Sequence, residues 1–190
     1  MTDVDLRAGV VVTLGRNDTE VISQLGRVLR TPGEWHAFGW SRFFFYRHLV
    51  STFAGLLFPP GSEYLYQLEP NLRIHPVGGV AVPPHSDGDF GHHPAEMNVW
   101  IPMTELTDDS QRVWLRENGG DVCHPVHLGQ ALIFPGASMY HWNLPNTATE
   151  RRSFDFRLVD ASWWADTGAV TVEYGVPLSI GTYWSGPVRV

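Results

Sequence analysis

Pro84-His85-Ser86-Asp87 carries the sharpest chemistry in this chain. His85 and Asp87 are two residues apart, so on an extended segment both side chains project from the same face. A third donor has to come from elsewhere. His141, opening His141-Trp142-Asn143, is the best candidate among the nine histidines. Two imidazoles and one carboxylate on one face make a facial ligand set suited to Fe(II), with adjacent coordination positions left open. Open adjacent positions are what a bidentate cosubstrate and dioxygen need. His-x-Asp by itself is short, and a hydrogen-bonded pair in a turn is its plain structural alternative.

The residues after His141 add to the case. In Arg151-Arg152-Ser153-Phe154-Asp155-Phe156-Arg157, strand alternation puts Arg151, Ser153, Asp155 and Arg157 on one face. Arg152, Phe154, Phe156 and Leu158 fall on the other. A guanidinium beside a hydroxyl grips a carboxylate through charge-assisted bonds. The end of 2-oxoglutarate remote from a metal presents that group, so Arg151 with Ser153 is the expected anchor. A surface ion pair of Arg157 with an acidic residue is the ordinary alternative, and the apolar opposite face weighs against it.

Other polar residues have weaker claims. Arg73 and His75 alternate on the strand before the motif and are expected to point into the same cavity. Glu96 either faces the substrate or pairs with Arg73 or Arg112. His92 is expected in a loop over the mouth and His93 in solvent. His124 and His127 read as ordinary strand residues, Trp114 and Trp142 as packing. Cys123, the only cysteine, reads as a buried small hydrophobe.

These groups need a frame to hold them. Asn17 and Asp18 offer a helix N-cap, and Val21, Ile22, Leu25, Val28 and Leu29 recur at helical spacing until Thr31-Pro32-Gly33 stops them. A second helix is expected from about Ser41 to Leu57, with Phe44, Phe45, Leu49, Phe53 and Leu56 along one side. Pro59-Pro60-Gly61 ends it. Period-two patterning then predicts strands over Tyr64–Leu68, Leu72–His75, Glu96–Pro102, Val113–Arg116, Val122–Pro125, Gly129–Phe134, Met139–Asn143 and Ser153–Asp160. Turn signals such as Glu117-Asn118-Gly119-Gly120 and Pro135-Gly136 separate them. Two helices followed by many short strands predict a mainly β fold, a jelly-roll double sheet with the N-terminal helices packed on one sheet. The expected plan is one domain: helical support over 1–61, a jelly-roll core over 62–160 and a C-terminal cover over 161–190.

Composition limits the partners. The chain has 190 residues, is 43% hydrophobic and carries a net charge of −7, with every basic residue an arginine. That balance argues against nucleic acid or an anionic membrane surface. A single cysteine gives no reason to expect an oxidising compartment. The acidic start MTDVDLRAG does not read as a signal peptide, and no apolar run is long enough for a membrane span. A soluble cytoplasmic protein is expected.

His85-Ser86-Asp87, the distal His141 and Arg151-x-Ser153 resemble the Fe(II)- and 2-oxoglutarate-dependent dioxygenases. His85-Ser86-Asp87-Gly88-Asp89-Phe90-Gly91-His92, Glu96-Met97-Asn98-Val99-Trp100-Ile101-Pro102-Met103-Thr104 and Phe154-Asp155-Phe156-Arg157 look like the oxygenases of streptomycin-type antibiotic biosynthesis. The resemblance spans Leu72 to Val159. It implies a double-stranded β-helix, iron on His85, Asp87 and His141, and 2-oxoglutarate and O2 as cosubstrates. It also implies Arg151 and Ser153 at the far carboxylate, with Arg157 as the rival for that role. Asn98 and Trp100 would line the site near the cosubstrate. Arg73, His75, His92 and Glu96 are left as candidates for contact with a small polar substrate. The implied reaction is oxidation of a natural-product intermediate, hydroxylation by default, with release of succinate and CO2.

Two other readings stay open. Gly129, Pro135-Gly136, His141 and Asn143 resemble part of a cupin motif, which suggests a metalloenzyme without 2-oxoglutarate, although Asp87 stands where a cupin has a second histidine. A jelly-roll module binding sugars without catalysis would leave His85, Asp87, His141 and Arg151 unexplained.

Overall fold

A computed structural model describes residues 8–29, 31–40, 43–80, 82–171 and 175–190. In chain order the elements begin with β1 (Val10–Thr13), α1 (Arg16–Val28), α2 (Pro32–Ala37) and α3 (Phe44–Leu57). The strands β2 (Glu63–Tyr66), β3 (Asn71–His75), β4 (Met97–Pro102), β5 (Trp114–Glu117) and β6 (Gly120–Cys123) follow. The series closes with β7 (Gln130–Phe134), β8 (His141–Trp142), β9 (Arg151–Asp160) and β10 (Val188–Arg189).

The fold is mainly β and its named strand pairs are antiparallel. The larger sheet runs β1-β7-β4-β9-β2-β10, with β3 also paired to β9; the smaller runs β6-β5-β8. A bridge between His85 and His141 adds the segment carrying His85 to the edge of the smaller sheet.

The long strand β9 sets the layering, because its two faces carry opposite chemistry. Phe154, Phe156 and Leu158 join Met97, Val99, Ile101, Ala131 and Ile133 under the helices. The helices contribute Ile22, Leu25, Trp35, Leu49, Val50 and Phe53 to the same core. Burying such side chains contributes roughly 1.5–3 kcal/mol each, so this layer is the main source of stability. The opposite face packs Trp100, Leu132 and Phe134 against Val113, Leu115 and Met139, joining the two sheets.

Several expectations shift. The buried stripe of α3 is Tyr46, Leu49, Val50, Phe53 and Ala54, whereas Phe44 and Leu56 are exposed. Spacing of three and four residues puts those five on one side, and Phe44 falls off it. The expected start of that helix at Ser41 lies outside the described residues. Thr31-Pro32-Gly33 opens α2 as well as ending the first helix: Thr31 accepts from the Glu34 N–H, and Glu34 accepts from the Thr31 N–H. Proline suits a first helical turn, where its missing N–H costs nothing. Val10–Thr13 forms an edge strand on β7. Asn118 and Gly119 both have positive φ between Glu117 and Gly120, the two-residue hairpin turn that twisted strands favour. Among the described residues no helix is long and apolar enough to cross a membrane.

Candidate active site

The bridge that joins the segment carrying His85 to β8 sets the first two donors side by side. His85 N–H donates to the His141 carbonyl at 3.2 Å and His141 N–H to the His85 carbonyl at 2.8 Å. The two rings lie 4.3 Å apart. Asp87 follows at the start of a short 3-10 turn, Asp87–Phe90. Its N–H donates to the Gly136 carbonyl at 2.9 Å, and Gly88 N–H to the Ala137 carbonyl at 3.2 Å. A Cβ on Gly88 would sit 2.4 Å from the Ala137 carbonyl oxygen, so only glycine lets this turn dock so closely.

The hydrogen bonds fix which histidine nitrogen faces inward. His85 Nδ1 lies 2.8 Å from the Pro83 carbonyl and His141 Nδ1 3.0 Å from the Met139 carbonyl. A carbonyl only accepts, so each Nδ1 carries the proton and each Nε2 keeps its lone pair. Those Nε2 atoms are 3.3 Å and 3.6 Å from Asp87 Oδ1. One donor atom from each residue falls within 4.8 Å of the other two. Two nitrogens and one carboxylate oxygen are the donor set that suits Fe(II), so the residues fit the metal.

The second carboxylate oxygen is held from behind. Asp87 Oδ2 accepts from Asn98 Nδ2 at 2.8 Å and from Arg157 Nε and Nη2 at 3.0 and 2.7 Å. Burial pushes the Asp87 carboxyl up, but the Arg157 guanidinium overrides it and holds the group well below the usual range. Burial pulls the His141 imidazole down against the opposing pull of Asp87. Arg157 also donates through Nη1 to Gln67 Oε1 and to the Tyr183 hydroxyl, at 3.2 and 2.8 Å. Gly136 makes room for this arrangement, since a Cβ there would come within 2.2 Å of Asn98 Nδ2.

Six residues earlier on the same face, Arg151 is in a different state. It is fully buried, and its Nη1 donates to the Gln111 carbonyl at 3.1 Å. Its Nε and Nη2 have no hydrogen-bond partner among the described residues. The guanidinium carbon lies 5.4 Å from the centre of the Trp100 ring. Burial, with Arg73 nearby, pulls Arg151 down to about 9. Ser153 Oγ accepts from Trp100 Nε1 at 3.0 Å, which leaves the serine proton for another acceptor. Arg151 and Trp100 line one cavity with His85, His141 and Asn98. Arg151 thus brings an under-partnered guanidinium to the wall of the cavity that the two histidines also line.

The register explains why these residues meet. Arg73 sits opposite Ser153 and His75 opposite Arg151, while Asn98 faces Arg157 and Trp100 faces Asp155. All of them project from the face turned away from the helices. Arg157, the rival anchor, has its donors bonded to Asp87, Gln67 and Tyr183. His75 is also corrected, because its Nε2 is bonded to the Gly79 carbonyl at 2.6 Å under the following turn, outside the cavity. Glu96 pairs with neither of the expected arginines; it is buried and accepts from His92 Nδ1 and the His93 N–H, both at 2.7 Å. Arg73 and His92 line a second, outer pocket with Asp87, Phe90, Thr171 and Tyr183. Gln67, Asn71 and Tyr183 join the site without having been singled out. Alternation along β3 could have found Asn71, but no local signal points to Tyr183.

No protein-family model matches the chain. Its fold is shared with SnoN, a non-haem α-ketoglutarate-dependent epimerase from nogalamycin biosynthesis, at TM-score 0.61 and 14% identity over 95% of this chain and 92% of that one. It is also shared with HygX from Streptomyces hygroscopicus, solved with nickel, 2-oxoglutarate and hygromycin B, at TM-score 0.57 and 11% identity over 96% and 94%. In sequence, the chain is 31% identical to the streptomycin biosynthesis protein StrG of Streptomyces griseus, over 97% of this chain and 94% of that one. The chain belongs to the family of the streptomycin biosynthesis protein StrG.

Proposed function

We propose that the protein hydroxylates a small polar natural-product intermediate, with release of succinate and CO2. His85, Asp87 and His141 hold the iron, and Arg151 with Ser153 anchors the far carboxylate of 2-oxoglutarate. The observation that carries this reading is the buried guanidinium of Arg151, two of whose nitrogens have no hydrogen-bond partner among the described residues, on the wall of the cavity that His85 and His141 also line. A buried guanidinium without an acidic partner is costly, and an incoming carboxylate relieves that cost.

When bound, the iron supplies oxidative decarboxylation of 2-oxoglutarate coupled to one-oxygen oxidation of the substrate. The chain's own residues prepare for this. Arg157 and Asn98 fix Asp87 so that Oδ1 faces the two Nε2 atoms. Trp100 walls the cosubstrate chamber and turns the Ser153 hydroxyl through its indole N–H. The outer pocket, bordered by Arg73, Phe90 and His92, receives the substrate beside the metal ligands. We read the two sheets as the halves of a double-stranded β-helix and place the enzyme in the cytoplasm. HygX, whose structure holds hygromycin B, supports a small natural product as the class of substrate.

Anaerobic addition of Fe(II) and then 2-oxoglutarate to the metal-free protein tests the reading. A visible charge-transfer band that needs both components is expected. Iron uptake with no band would favour a cupin-type metalloenzyme, and no metal uptake would favour a binding module.

A further inference from the structure

Resting on that oxygenase reading, we infer that the substrate presents an oxyanion, a carboxylate or a phosphoryl group, to Arg73 in the outer pocket. Arg73 stands on β3 where the inner cavity and the outer pocket meet, and it lines both. Its Nε donates to Asp155 Oδ1 at 2.8 Å. No acceptor among the described residues takes Nη1 or Nη2, and the side chain keeps about a third of its surface, 31%, open. Asp155 cannot turn to satisfy them, because its Oδ2 accepts from Asn71 Nδ2 at 2.9 Å. A guanidinium held through Nε alone offers its terminal pair as a fork, the geometry that matches carboxylate and phosphate oxygens.

The neighbours point the same way. Asp87 is the only carboxylate among the described residues of the outer pocket, and its oxygens are committed to Arg157, Asn98 and the metal position. Among the described residues, an ammonium group on an amino sugar or aminocyclitol would therefore meet Arg73 with no uncommitted carboxylate to balance it. The Tyr183 hydroxyl accepts from Arg157 Nη1, which leaves its proton as a second donor on the same wall. The uncommitted guanidinium fork and phenol proton suit an acceptor-rich anion.

The test titrates the full-length protein, loaded with Fe(II) and 2-oxoglutarate under argon, with a matched series by calorimetry. The probes are glucose, glucosamine, glucuronate and glucose 6-phosphate. Glucuronate or glucose 6-phosphate is expected to bind about tenfold or more tightly than glucose, with glucosamine no tighter than glucose. Tighter glucuronate identifies a carboxylate, and tighter glucose 6-phosphate a phosphoryl group. Arg73→Gln should shrink the anion preference to within about threefold, while Arg73→Lys retains part of it. The charge-transfer band serves as the control for fold and cosubstrate in every variant. Preference for glucosamine, an anion preference that survives Arg73→Gln, or no binding by any probe overturns the proposal. Loss of the band in Arg73→Gln alone also overturns it, by moving Arg73 to the cosubstrate. A wild-type protein that never forms the band sinks the oxygenase reading first, and this inference with it.

Discussion

Arg151 and Arg157 lie at opposite ends of one stretch of β9, on the same face, and both are buried, yet they are in opposite states. Arg157 spends its donors on Asp87, Gln67 and Tyr183. Arg151 has one backbone acceptor and two unpaired nitrogens. A buried cation surrounded by the protein's own acceptors is a structural group, and here it aims a metal ligand. A buried cation left short of acceptors is a cost to the free protein, and it becomes an asset only when an anion arrives. The same residue type on the same strand is thus saturated with partners at one end and, in the proposed function, left to meet a carboxylate at the other.

Removing the carboxylate between the two imidazoles should break the comparison most severely. Asp87→Ala deletes a metal donor and strands the Arg157 charge. Iron stoichiometry should fall to background, and the metal-free protein should lose about 3–5 kcal/mol in urea unfolding. Retention of iron would mean that a different residue completes the site. Arg151→Met comes next. The 2-oxoglutarate dissociation constant, read from the charge-transfer band, should rise about 100-fold with iron uptake unchanged, the loss of two charge-assisted bonds. The metal-free variant should be as stable as the wild type or more so, because an unpaired buried charge has gone. A destabilised variant would show that Arg151 is structural after all. Arg157→Gln should give the reverse pattern: iron affinity falls about 10–100-fold, and the affinity of the iron-loaded form for 2-oxoglutarate barely moves.

The difference between the two arginines was only partly legible in the sequence. Alternation along β9 put both on one face, and the spacing of His85, Asp87 and His141 marked the donors. Which arginine was already bonded depended on Gln67 and Tyr183, which come from the end of β2 and from the C-terminal segment. No local pattern carries that information, since pairing across the sheet brings them together. Glu96 misled for a related reason: its partners, His92 and the His93 N–H, lie within four residues, and the short turn that joins them has no periodicity to read. The helical layer shows a milder failure. An apolar residue near a helix start looks like part of the stripe, yet Phe44 is exposed because only Tyr46 and its partners one turn on face the sheet. Thr-Pro-Gly reads as a breaker, although a capping threonine followed by proline also begins a helix.

Acid should expose the Arg157 end specifically. Asp87 and Asp155 are both held below the ordinary carboxylate range in the folded state, against the opposing push of burial. A carboxyl with a depressed folded pKa stabilises the fold fully above its unfolded value, about 3.9, and that contribution fades as pH falls below it. Stability of the metal-free protein should therefore decline from about pH 4 downward, and Asp87→Asn should flatten part of that decline. An unchanged slope in the variant would mean that Asp87 is not held by Arg157 in solution.

The smallest effect sharpens the comparison furthest from the metal. Tyr183→Phe removes only the hydroxyl that accepts from Arg157 Nη1, while Gln67 and Asp87 still hold the guanidinium. Leaving one donor of a buried charged group short should cost about 1–3 kcal/mol of stability. Because Asp87 keeps both of its bonds to Arg157, iron affinity should change by no more than about threefold, well short of the loss in Arg157→Gln. The two variants together separate anchoring Arg157 in the fold from aiming Asp87 at the metal. If Tyr183→Phe weakens iron as much as Arg157→Gln does, the phenol is what sets the guanidinium's position, and the metal site depends on the C-terminal segment to be formed at all.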